Sequence, residues 1–173
     1  QLQALEFASL IASAAGACGL GSPIMSNGAN MAFKKEIWEK YNHELHDDEL
    51  SGDDMFLMMA VKKSGGHIAF IKNTETVVET NPQTTLNTFL NQRKRWTSKT
   101  KSYTDWQTIV VAMIVFMVAM SFLILFMGGF WQKSLFYTLA ITFAAKWMVD
   151  TVFLSCFLPF LNQKRLILHT LSL

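Results

Sequence analysis

From Thr108 to Met127 the sequence carries about 20 uncharged, mostly apolar residues in succession. At roughly 1.5 Å of rise per residue, such a run crosses a ~30 Å hydrocarbon core as a helix. Gly128-Gly129-Phe130-Trp131-Gln132-Lys133 interrupts it with helix-stopping glycines, an interfacial Trp and a charge, and Ser134 to Leu161 forms a second apolar segment. Two spans joined by so short a link predict an antiparallel transmembrane hairpin. Upstream the pattern changes. Leu2, Leu5, Phe7, Ala8 and Ile11 give a helical stripe that dissolves at Gly16 to Gly21, Asn30 to Phe33 reads as a short strand, and Lys34 to Tyr41 reads as a helix. Met55 to Lys63 predicts a helix ended by Gly65-Gly66, and His67 to Ile71 and Thr76 to Glu79 read as strands. Thr84 to Lys101 reads as an amphipathic helix with Leu86, Phe89, Leu90, Arg93 and Trp96 near one face. The expectation is an α/β unit over residues 1–104, whose amphipathic helix 84–101 lies at the membrane interface, followed by a transmembrane hairpin over residues 105–173.

Composition sharpens this division. Of 173 residues 51% are hydrophobic, and beyond position 104 the only formal charges are Asp105, Lys133, Lys146, Asp150, Lys164 and Arg165. A net charge of +2 gives no argument for nucleic acid as a partner. Cys18 and Cys156 lie far apart and predict free thiols rather than a disulfide framework or a metal cluster. The first residue is Gln1 rather than Met, and no charged n-region with a short apolar core and cleavage site follows, so no secretory signal is visible and the sequence reads as part of a longer protein.

Cations orient the hairpin. Arg93, Lys94, Arg95, Lys99 and Lys101 precede the first span and Lys164 and Arg165 follow the second, whereas the connecting turn holds Lys133 alone. The positive-inside rule then places both outer flanks in the cytoplasm of a multi-pass protein of the cell (inner) membrane. Lys146 and Asp150 sit inside the second span at spacing i, i+4, where a mutual ion pair offsets the cost of each charge. A proton or substrate path and a purely structural pair both account for them.

Two stretches carry the chemistry. Ser51-Gly52-Asp53-Asp54 is an acidic turn at a helix start, and Gln92-Arg93-Lys94-Arg95-Trp96 is a basic-aromatic motif opening towards the first span. Each has a plain alternative: the acids as a helix cap, the cations and Trp96 as interfacial anchors. His43-Glu44-Leu45-His46-Asp47-Asp48-Glu49 lacks the helical H-E-x-x-H spacing and reads as a solvated loop.

Taken in order, Gly28-Ala29-Asn30-Met31-Ala32-Phe33, Gly52-Asp53-Asp54 and Gln92-Arg93-Lys94-Arg95-Trp96 before a membrane helix resemble the C-terminal half of membrane-bound family-2 glycosyltransferases. That group has the GT-A fold and includes cellulose, chitin and hyaluronan synthases. The three segments look like the family's G-x-N-x-A-F strand, its T/G-E-D motif and its Q-x-x-R-W motif. The resemblance implies the acceptor-side part of a GT-A domain and Asp54 as catalytic base for inverting transfer from a nucleotide-sugar donor to a glycan or lipid-linked acceptor. It implies that Arg95 stabilises the departing diphosphate, that Trp96 and Gln92 contact sugar or acceptor, and that Gly28 and Asn30 line the pocket. Asp53 stands where the family has Glu, which puts its role in doubt. Mg2+ or Mn2+ is implied only through a D-x-D motif absent from this chain, and the chain alone is expected to be inactive. A non-catalytic membrane anchor or assembly subunit is the alternative, and it leaves the co-occurrence of the three motifs unexplained. A small transporter built on Lys146 and Asp150 has too few spans.

Overall fold

In the computed structural model, residues 1–42 and 52–172 are described, and their regular structure is entirely helical. Among the described residues six α-helices follow one another: α1 (Leu2–Gly19), α2 (Lys35–Tyr41), α3 (Asp53–Lys63), α4 (Leu86–Ser98), α5 (Trp106–Gly128) and α6 (Ser134–Phe157). Short 3-10 segments lie at Gly28–Asn30, Thr74–Thr76, Lys99–Ser102 and Lys164–Ser172. The chain divides into two compact units, one of residues 1–12 with 110–173 and one of residues 13–109.

The α/β expectation, and with it the acceptor-side part of a GT-A domain, is overturned, because no strand occurs among the described residues. The reason is local. Asn27, Met31, Asn73 and Val77 do adopt the extended conformation that their neighbours' β-propensity favours. Yet the side chains of Asn27 and Asn73 accept hydrogen bonds from the backbone N–H of Ala29 and Glu75, each at 3.0 Å. These Asx turns offer the backbone a local partner in place of a ladder and fold both segments into 3-10 turns. An extended segment without a pairing neighbour is not a strand.

In the unit of residues 13–109, α3 is the buried helix. Met55, Phe56, Leu57, Met58, Met59 and Ala60 are all buried, so the helix is covered on every side rather than along one stripe. Met25, Ile68 and Tyr103 pack on Met55, Phe56, Met58 and Met59, while Tyr41, Ile37 and Met31 close over Leu57 and Ala60. α4 begins with a reciprocal cap, in which Thr85 Oγ1 accepts from the Thr88 N–H and Thr88 Oγ1 from the Thr85 N–H. Its Leu86 and Leu90 remain exposed, 73% and 54%.

In the other unit, α5 and α6 form the expected antiparallel hairpin. Phe122 meets Phe143 with ring centroids 6.3 Å apart, and Phe126 meets Phe136 at 6.2 Å. The turn is tight: a Cβ on Gly129 would lie 2.7 Å from the Phe136 ring, which would have to shift. Leu5 and Ala8 of α1 pack on Leu154, Leu158 and Leu166. α1, α5 and α6 are each long and apolar enough to cross a membrane, one more helix than the two spans expected. In α5 no residue is buried by the protein. A helix apolar all round and uncovered by protein suits a lipid surrounding.

Candidate active site

Gly52 turns the chain into α3. It is buried and has φ +129°, a conformation that side-chain-bearing residues rarely adopt, and it directs Asp53 and Asp54 into the first helical turn. Asp53 points to solvent and Asp54 is half-buried. One oxygen of Asp54 accepts from the Met55 N–H at 2.9 Å, as expected of an acid at the positive end of a helix. The other reaches out of the helix and accepts from the Gly28 N–H at 2.8 Å.

Residues 23–28 therefore form a strap laid along α3. Ser26 Oγ donates to the Asp54 carbonyl at 2.6 Å, and the Ser26 N–H contacts Met55 Sδ at 3.3 Å. Met25 and Met31 press against α3 on either side of the Gly28–Asn30 turn. At Gly28 a Cβ would sit 3.5 Å from Asp54, in ordinary contact with it. Asn30 Nδ2 donates to the Thr76 carbonyl at 2.6 Å. Thus Gly28 and Asp54, 26 residues apart, meet directly, and Asn30 stands beside them on the same exposed turn.

α4 supplies the remaining predicted residues. The Arg93 guanidinium lies over the rings of Phe89 and Trp96, 4.7 and 4.5 Å from their centroids. This stack holds the Trp96 indole against the helix surface. The sequence already showed its cause, since Phe89, Arg93 and Trp96 follow at i, i+4 and i+7. Arg95 is exposed and Gln92 half-buried. Neither is hydrogen-bonded to Asp54, whose carboxylate partners are Gly28 and Met55.

The pair Lys62 and Asp105 was not singled out in the sequence. Lys62 Nζ donates to Asp105 at 2.8 Å and to the Pro23 carbonyl at 2.7 Å, with side chains only 17% and 11% exposed. Asp105 also caps α5, accepting from the N–H and hydroxyl of Thr108. Burial acts to raise its carboxyl, but the hydrogen bonds from Lys62 and Thr108 outweigh it, so Asp105 ionises below its ordinary value of 3.8. A depressed carboxylate stabilises the fold above its unfolded value and loses that contribution as pH falls through the folded one. Asp105→Asn should accordingly lower thermal stability at pH 7 and flatten its acid dependence below about pH 4. Equal acid dependence in both proteins, followed by thermal melting, would remove the pair from the account.

No group of three or more His, Cys, Asp or Glu placed to hold a metal ion occurs among the described residues. No step below runs through a metal. His43 to Glu49 and Ser51 lie outside the described residues.

A sequence profile described as glycosyl transferase family group 2 matches residues 1–166. No curated protein and no solved structure matches the chain.

Proposed function

This chain belongs to glycosyl transferase family group 2, and we propose that Asp54 is the catalytic base of an inverting glycosyl transfer at a membrane surface. The donor is a nucleotide sugar and the acceptor a glycan or lipid-linked hydroxyl. The observation that carries this reading is the meeting of Asp54 and Gly28. Asp54 of the acidic turn and the exposed Gly-Ala-Asn turn, from two of the motifs that carried the resemblance, meet at one carboxylate. A simple helix cap would engage only its own first turn, whereas Asp54 gives one oxygen to each role.

The chemistry follows from that geometry. Each Asp54 oxygen accepts one backbone N–H and keeps a second lone pair, so the carboxylate is held in place and still open to a proton. An acceptor hydroxyl donating to Asp54 loses its proton as its oxygen attacks the anomeric carbon. The bond to the departing diphosphate breaks on the opposite face, which inverts the configuration. In this reading Arg95 stabilises the diphosphate through charge-assisted hydrogen bonds, and Trp96, steadied by Arg93, offers its other face to a sugar ring. Gln92, Asn30 and Asp53 contact hydroxyls of donor or acceptor. Determining the anomeric configuration of the product formed by membranes of the whole protein tests this: inversion is expected, and retention would exclude a single displacement.

Two predictions arise here. Arg95→Ala should lower turnover, with Arg95→Lys only partly restoring it because lysine lacks the bidentate fork; full activity of either variant would free Arg95 of the diphosphate role. The second concerns sidedness, with residues 20–105 and the segment after Asn162 in the cytoplasm, where nucleotide sugars are made. The exposed pair Leu86 and Leu90 then faces the membrane interface. Single cysteines at Ser102 and Gln132, in a protein lacking Cys18 and Cys156, should react with a membrane-impermeant thiol reagent on intact cells at Gln132 alone. Labelling at Ser102 would put the acidic turn on the wrong side.

A further inference from the structure

We propose that Lys62 is a positioning residue for the reaction, acting on Asp54 through α3 and the strap of residues 23–28. This rests on Asp54 being the base. Lys62 is eight positions beyond Asp54 on the same helix, so the two mark its opposite ends, about 12 Å apart along the axis. At its own end Lys62 makes two contacts: the Pro23 carbonyl, where the strap begins, and Asp105, which caps the first turn of α5. At the other end the strap is bonded to Asp54 through Ser26 and Gly28.

Strap and helix are thus fastened to each other at both ends. The α5 end of the arrangement is reinforced by Thr108 Oγ1 donating to the Ile24 carbonyl at 3.1 Å and by Gln107 Nε2 donating to Ser22 Oγ at 3.2 Å. Release of the Lys62 end frees the strap to shift along α3, and the shift reaches Asp54 through Ser26 and Gly28. A nearly buried ammonium is a costly way to hold two backbones together. An apolar residue would fill the space but would not fix the strap's register.

The test uses membranes containing the whole protein, with folded enzyme quantified for each variant. Lys62→Met should lower kcat about 10-fold with KM for donor within about two-fold, because misplacing a base costs rate rather than binding. Lys62→Arg should recover most of that loss. Asp105→Asn keeps an oxygen for the Thr108 cap and removes the charge, so it gives the milder change if Lys62→Met fails to fold. In an Asp54→Asn background Lys62→Met should add nothing further, since its effect passes through Asp54. Undiminished kcat per folded enzyme in Lys62→Met, or a full additional loss in the Asp54→Asn background, would overturn the positioning role. A separate outcome, Asp54→Asn as active as the parent, would overturn the base assignment itself.

Discussion

Asp54→Asn should reduce turnover by at least about 10²-fold while leaving donor affinity near that of the parent. Asparagine keeps the shape of the side chain, but its single carbonyl oxygen can accept from only one of the Gly28 and Met55 N–H groups, so donor affinity is measured beside turnover to separate a displaced strap from a lost base. What it removes is the lone pair that takes the acceptor's proton. Asp53→Asn should be milder, because Asp53 is exposed and the family resemblance places the base one residue later. Parallel measurements of donor binding and turnover in the two variants separate the roles. Turnover near normal in Asp54→Asn, or a larger loss in Asp53→Asn, would end the assignment.

The second large effect belongs to the membrane helices. Lys146 and Asp150 form an ion pair on one face of α6, near its middle, with side chains 35% and 31% exposed. Lys146→Leu strands the carboxylate within the hydrocarbon region at a cost of about 2.5–3.5 kcal/mol, seen as lost yield and lower thermal stability in detergent. Lys146→Leu with Asp150→Leu should recover most of that loss, because both charges leave together. A double variant worse than either single one would mean that the pair contacts something beyond itself, as a proton or substrate path requires.

Helices were the legible part of this fold. The uncharged run before Gly128 gave α5, the Gly128-Gly129 turn gave the hairpin, and the span Met55 to Lys63 gave α3 apart from its first two residues. The strands were misread because alternation and β-branched residues describe an extended backbone, which is present at Met31 and Val77, but not a pairing neighbour. The competing signals were Asn27 and Asn73, whose side chains close turns that alternation does not register. α1 was read as a helix but not as a candidate span, since Glu6 and a run of alanines dilute its apolar pattern.

The candidate site divides in the same way. Asp54 at a helix start follows from local sequence, and the Arg93 stack from helical spacing. The contact of Asp54 with Gly28 and that of Lys62 with Asp105 join residues 26 and 43 positions apart, and nothing in the spacing of either pair announces them. Only a folded chain brings such groups together. Family resemblance named Asp54 and Gly28 singly, without their contact, and was silent on Lys62 and Asp105.

The most direct test of the central claim is an assay of membranes bearing the whole protein against a panel of nucleotide sugars, following release of nucleoside diphosphate and incorporation of sugar into glycan or lipid. With Asp54 as base, one class of donor is consumed, with incorporation matching release and both lost in Asp54→Asn. Incorporation that persists in Asp54→Asn membranes, or a protein that binds none of the donors and releases no diphosphate, would contradict it.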